Sequence, residues 1–160
     1  MFDVRKNMGP NDLHLVCSAK YGKASLFDNT GKKKYTIACL CEGQHDNWRL
    51  PRGDTPPGAY KAGVVYTQTA ANLSQLYSYG RKCIDLIDLD NQETGNERSG
   101  VSLHGGGTGL PNPVARLQEL IPTWGCIRVH NADLEEKIVP DVERCQKRGG
   151  TFFVSVVDRD

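Results

Sequence analysis

The sequence predicts a mainly β domain, a mixed β-sandwich carrying one or two short helices. Three observations carry that expectation. Short runs rich in β-branched and aromatic residues recur along the chain, turn residues separate them, and a clear helix start signal occurs only late, near Asp133. A length of 160 residues fits one domain spanning 1–160, large enough to bury a core without metal or disulfide support.

Taken in order, residues 13–19, 24–28, 35–40 and 59–66 read as strands. Asn29-Thr30-Gly31 joins the second run to the third as a hairpin, because Asn and Gly accept the positive φ that tight turns demand. Residues 46–58 hold Pro51, Pro56 and Pro57 with Gly53 and Gly58, which rules out a regular element. Pro56-Pro57-Gly58 presets a turn that feeds the next strand. Residues 66–79, with Tyr77 and Tyr79, form an excursion between strands, either a groove wall or ordinary packing. Residues 83–89 alternate apolar and polar side chains as a further strand, a polar loop follows over 90–99, and 101–104 returns as a strand ending at His104. Asp133 and Glu136 have the spacing of a capping box for a helix beginning near Leu134, which Pro140 must kink or restart. Gly149-Gly150 stops the helix, and 151–157 is a final strand.

A net charge of +1 with 24% charged residues offers no basic face for nucleic acid. Lys32-Lys33-Lys34 follows a turn and reads as solvated, and no apolar run approaches membrane-spanning length. Of the six cysteines, Cys17, Cys39 and Cys83 lie in apolar strand-like runs where Cys serves as a small hydrophobe. Cys39 and Cys41 share a strand face with His45 nearby, but the second spaced pair of a zinc site is missing, so no metal is expected.

Cys126 stands in different company, within Thr123-Trp124-Gly125-Cys126-Ile127-Arg128. A preceding glycine lets backbone N–H groups approach a substrate, and Arg128 two residues on favours the thiolate. Upstream, Ser102-Leu103-His104-Gly105-Gly106 places a histidine at a strand terminus facing a Gly-rich loop, where it can take a thiol proton. Nucleophile and base together point to acyl transfer. Gly105-Gly106-Gly107-Thr108-Gly109 has the glycine content of a phosphate loop but lacks its Lys-Ser/Thr ending and following helix.

At these residues the chain resembles the catalytic domain of the L,D-transpeptidases, the YkuD-type family, which carry a His-Gly pair and then Ser/Thr-x-Gly-Cys-x-Arg or Asn. The segment from Arg52 to Tyr60, containing Thr55-Pro56-Pro57-Gly58, is similar to the family's Thr-Pro-x-Gly-x-Tyr/Phe run, and Asn131-Ala132-Asp133 to its continuation after the cysteine. The match covers most of the chain. Two departures stand out: Trp124 occupies a position where the family often has His, and the spacing from His104 to Cys126 is longer than usual. The longer spacing implies an inserted loop over 108–122 at the rim of the cleft.

The resemblance implies a peptidoglycan stem tetrapeptide as acyl donor, with Cys126 as nucleophile and His104 as base. A backbone carbonyl near Gly105 or Gly106 is expected to fix the imidazole tautomer. The N–H groups of Gly125 and Cys126 are the expected oxyanion donors, with Gly105 and Gly106 completing the backbone around the base. Three roles are open to Arg128: activating the thiolate, binding a substrate carboxylate, or bracing the loop against an acid such as Asp133. Thr123 is expected to support the site, Trp124 to form a wall or pack in the core, and His130 to line the cleft or surface, with the base role as its alternative. Release of D-Ala leaves a thioester. A neighbouring stem's amine resolves it into a 3–3 cross-link, and water gives L,D-carboxypeptidase action. Hydrolysis suits a phage lytic component or a secreted antibacterial effector, with an immunity or delivery protein as partner. The alternative of another class is a non-catalytic wall-binding module. No cofactor is implied, and the expected place of action is the bacterial cell wall or periplasm. Residues 1–12 lack the apolar core of a secretory signal, so delivery by a removed export segment or an unconventional route is expected.

Overall fold

Alternating side chains build the sheet in the computed structural model, which describes residues 2–90 and 100–159. In β1 (Leu13–Ser18) Leu15 and Cys17 are fully buried, and in β2 (Lys23–Asp28) Ala24 and Leu26 face the same core. The sheet is completed by β3 (Lys33–Leu40), β4 (Gly58–Thr67), β5 (Lys82–Asp88), β6 (Ser102–His104), β7 (Ile127–Val129) and β8 (Phe152–Val157). Its neighbour order is β1-β2-β3-β7-β6-β5-β4-β8, and β8 pairs in parallel with β1, so eight strands close into a barrel-like sandwich. The architecture is the mainly β one expected. Leu15, Leu26, Ile84, Leu103, Ile127 and Val154 fill the interior from the strands, each worth roughly 1.5–3 kcal/mol of apolar burial. Tyr60 is equally buried and donates its hydroxyl to the Pro56 carbonyl at 2.7 Å, which pins the Pro56-Pro57-Gly58 turn to the core.

The helical segments depart from expectation. A helix was not expected within 66–79, yet α2 (Leu73–Tyr79) forms there, with Asn72 Oδ1 accepting from the Gln75 N–H at its start. None of its residues is buried, so it carries no apolar stripe for a sequence pattern to reveal. A short α1 (Val4–Asn7) is capped by Asp3. The late helix begins earlier than Leu134: α3 (Asn131–Asp133) runs into a π-helical turn, Leu134–Ile138, and then α4 (Val139–Lys147). No capping box forms. Asp133 lies inside the helix and pairs with Lys137 at 3.3 Å, because β7 ends so close that His130 already supplies the extended residue before the first turn. The wide π turn lets the helix pass Pro140, which lacks an N–H and presses on the turn before it. Beyond Asp90, the polar loop expected over 90–99 lies outside the described residues. Among the described residues no helix is long and apolar enough to cross a membrane.

Candidate active site

β6 and β7 lie side by side in parallel, with Leu103 opposite Ile127 and His104 opposite Arg128. Extending that register places Cys126, the residue before β7, on the sheet face that carries His104 and Arg128, one pleat back from His104. β7 was not expected as a strand; three residues are too few to show a period. None of the six cysteines forms a disulfide, and Cys126 alone is half-buried where the other five are buried. Its Sγ lies 3.7 Å from the Gly100 carbonyl oxygen. Negative charge on this sulfur acts on Tyr79, Cys83 and Arg128, which locates all three around it.

His104 is 2% exposed, and its Nδ1 lies 2.8 Å from the Gly105 carbonyl. A carbonyl only accepts, so Nδ1 carries the hydrogen and Nε2 presents its lone pair. The Gly105 carbonyl therefore fixes the tautomer of His104. The Tyr79 ring meets the imidazole edge-on, centroids 5.0 Å apart. Burial lowers the His104 pKa to about 4; the Gly105 hydrogen bond opposes that shift and the Arg128 charge adds to it. At neutral pH the ring is uncharged.

Arg128 braces the site through carbonyls. Only 4% exposed, it donates from Nε to Gly105 at 3.2 Å, from Nη1 to Ile121 at 2.5 Å and Pro122 at 3.3 Å, and from Nη2 to Ser78 at 3.2 Å. Asp133, the expected acid, is engaged by Lys137 instead. Burial pushes the guanidinium down to about 10, and the Cys126 sulfur opposes that shift.

The cysteine loop is held by two threonine hydroxyls. Thr123 Oγ1 accepts from the N–H groups of Gly125 at 2.9 Å and Cys126 at 2.7 Å, and donates to the Cys126 carbonyl at 3.0 Å. Thr55, fully buried in the Thr-Pro-Pro-Gly segment, donates to the same carbonyl at 2.9 Å. These bonds engage the N–H groups of Gly125 and Cys126, the expected oxyanion donors, with the Thr123 hydroxyl. Those of Gly105 and Gly106 are likewise donated, to the Tyr79 carbonyl and to Asn131 Oδ1, each at 2.9 Å. Gly106 holds φ 68°, and a Cβ there would stand 2.6 Å from the Gly80 nitrogen, so this backbone serves close packing. Trp124 is 65% exposed and so is not a core residue. His130 turns to the insert, with Nδ1 donating to the Gln118 carbonyl at 2.9 Å.

Sequence reasoning missed the residues that hold the insert. Residues 108–122 are irregular, as expected. Asn131, 1% exposed, donates from Nδ2 to Pro113 at 2.8 Å and Ala115 at 2.7 Å. Gln118, 4% exposed, donates to the carbonyls of Gly106 and Val129 while its Oε1 accepts the Asn131 N–H at 2.8 Å. Asn131 carried a signal in its place after the cysteine motif; Gln118 carried none. The buried Cys17 and Cys41 thiols are pushed up by hydrogen bonding to Cys39 and by burial. Among the described residues, no group of three or more His, Cys, Asp or Glu is placed to hold a metal.

No protein-family model matches the chain, and no curated protein sequence does. Solved structures do match. Bd1075 of Bdellovibrio bacteriovorus superposes with a TM-score of 0.62 at 17% identity, over 96% of this chain and 49% of that one. The helical cell shape determining protein Pgp2 of Campylobacter jejuni gives 0.63 at 18% identity, over 92% of this chain and 48% of that one. An L,D-transpeptidase of Stackebrandtia nassauensis gives 0.51 at 13% identity, over 92% of this chain and 56% of that one. The chain thus spans about half the length of these proteins. In backbone path the chain has the fold of an L,D-transpeptidase domain.

Proposed function

We propose that this domain is a cysteine acyltransferase acting on peptidoglycan stem tetrapeptides in the bacterial cell wall or periplasm. The observation that carries the reading is a single half-buried thiol on the same sheet face as a neutral histidine whose Nδ1–H is fixed by Gly105. Cys126 Sγ attacks the carbonyl that joins the third stem residue to the terminal D-Ala, and its proton passes to Nε2 of His104. As the tetrahedral adduct collapses, the C–N bond breaks, the amine of D-Ala leaves with that proton, and a thioester to Cys126 remains. An acceptor amine, or water, then attacks the thioester; His104 takes the acceptor's proton and returns it to the departing sulfur. Arg128 contributes a fixed positive charge beside the sulfur and holds Gly105, the residue that orients the base.

The test is the product set from purified tetrapeptide muropeptides incubated with the protein and with Cys126→Ala. Cys126-dependent dimers with loss of D-Ala establish cross-linking, and tripeptide with free D-Ala establishes hydrolysis. Absence of both from a folded protein refutes the proposal and favours a wall-binding module.

A further inference from the structure

We infer that Arg52 determines specificity at this site: its guanidinium, laid on the exposed Trp124 ring, receives a free carboxylate of the peptide substrate. The inference rests on the reading of Cys126 as the acyl nucleophile.

The first support is position. Trp124 precedes Cys126 by two residues, and Arg52 Cζ stands 4.2 Å from the centroid of its ring. A guanidinium held over an aromatic face still has N–H donors to offer a bidentate carboxylate. The second is rigidity. Arg52 adopts φ 60°, one of two non-glycine residues with positive φ among those described, so its backbone is held in a conformation it disfavours. Its carbonyl accepts the Gln44 N–H at 2.7 Å, and Gln44 Nε2 donates to the Thr123 carbonyl at 2.9 Å, which ties the arginine loop to the cysteine loop. The two strands of that loop pass so closely that a Cβ on Gly43 would lie 2.0 Å from the Gly53 oxygen.

The third is charge. Arg52 is exposed, and among the described residues no carboxylate pairs with it. Arg128, the cation suggested by sequence for this task, is buried and spends its donors on four backbone carbonyls. A substrate with a free carboxylate therefore meets Arg52. Two carboxylates fit the chemistry: the α-carboxylate of the terminal residue and a side-chain carboxylate on the third.

The experiment compares the protein with Arg52→Gln, Arg52→Lys and Arg49→Gln on three tetrapeptides: the free acid, the C-terminal amide, and the peptide amidated on the third side chain. Release of the terminal residue is measured to give kcat and KM. The expected result is a preference for the free acid over one amide of roughly ten- to hundredfold, set mainly by KM, as a charged hydrogen-bonded pair provides. Arg52→Gln should bring that preference close to one, Arg52→Lys should restore part of it, and the amide that erases the difference names the carboxylate. Three results would overturn the inference while leaving the nucleophile in place: the same preference in Arg52→Gln, equal loss in Arg49→Gln, or a fall in kcat on all three peptides alike. If the unaltered protein turns over none of them, the reading of Cys126 fails and the inference falls with it.

Discussion

His104 owes its chemistry to one hydrogen bond and to burial. With Nδ1–H fixed on Gly105, the lone pair at Nε2 is the only basic position, and His104→Ala should lower turnover by roughly 10²- to 10⁴-fold in steady-state assays. His130→Ala should be far milder, since His130 lies beyond the end of β7 with its ring turned to Gln118 of the insert; a larger loss from His130→Ala would show that the wrong histidine has been named the base. Because burial lowers the His104 pKa to about 4, the ring remains unprotonated well below its ordinary range. The acid limb of the pH profile of kcat/KM should therefore fall near pH 4, and a limb at 6.5 would contradict that environment. Cys126 and His104 stood out in the sequence as candidates because glycines and a cation lie adjacent to them along the chain. The fate of the Gly125 and Cys126 N–H groups was not legible there, because the Thr123 hydroxyl that takes them is a side-chain choice that no spacing encodes.

The strands were legible as elements, since each shows a period of two or a β-branched run between turns, and their ends shift by only a residue or two. What escaped were elements defined by neighbours: β7, which exists because β3 and β6 pair with it, and α2, which buries nothing of its own. The insert over 108–122 belongs to the same class. It has no ladder of hydrogen bonds, so Asn131 donates to its Pro113 and Ala115 carbonyls, and its own Gln118 donates to the carbonyls of Gly106 and Val129, which joins it to the ends of β6 and β7. Asn131→Ala removes two donors and the acceptor of the Gly106 N–H at a buried position. It should cost about 2–4 kcal/mol in urea unfolding and expose the insert to limited proteolysis. A change below about 0.5 kcal/mol would mean that water replaces the side chain and that the insert is held elsewhere.

Across the whole molecule, the fold brings distant segments together: Thr55 donates to the Cys126 carbonyl and Arg52 lies over Trp124, although some seventy positions separate them. It also buries titratable groups. His14, pushed down to about 4 by burial and by the Arg5 charge, and His104 are both neutral in the folded protein and gain protons more readily when it unfolds. A histidine with a depressed folded pKa contributes fully above its unfolded value near 6.5 and loses that contribution as pH falls toward 4. Stability measured by urea unfolding should thus decline between pH 7 and pH 4.5, by an amount on the order of 3 kcal/mol at the limit for the fully buried His104 and by less for His14. A flat profile over that interval would contradict the burial of both rings. For the acyl-transfer chemistry itself, the decisive experiment is intact-mass spectrometry of the protein during turnover of a stem tetrapeptide, with peptide mapping of any adduct. The expected result is a tripeptidyl adduct on Cys126, formed with release of D-Ala and absent from Cys126→Ala. Release of D-Ala by Cys126→Ala, or an adduct on any of the five buried cysteines, would contradict it.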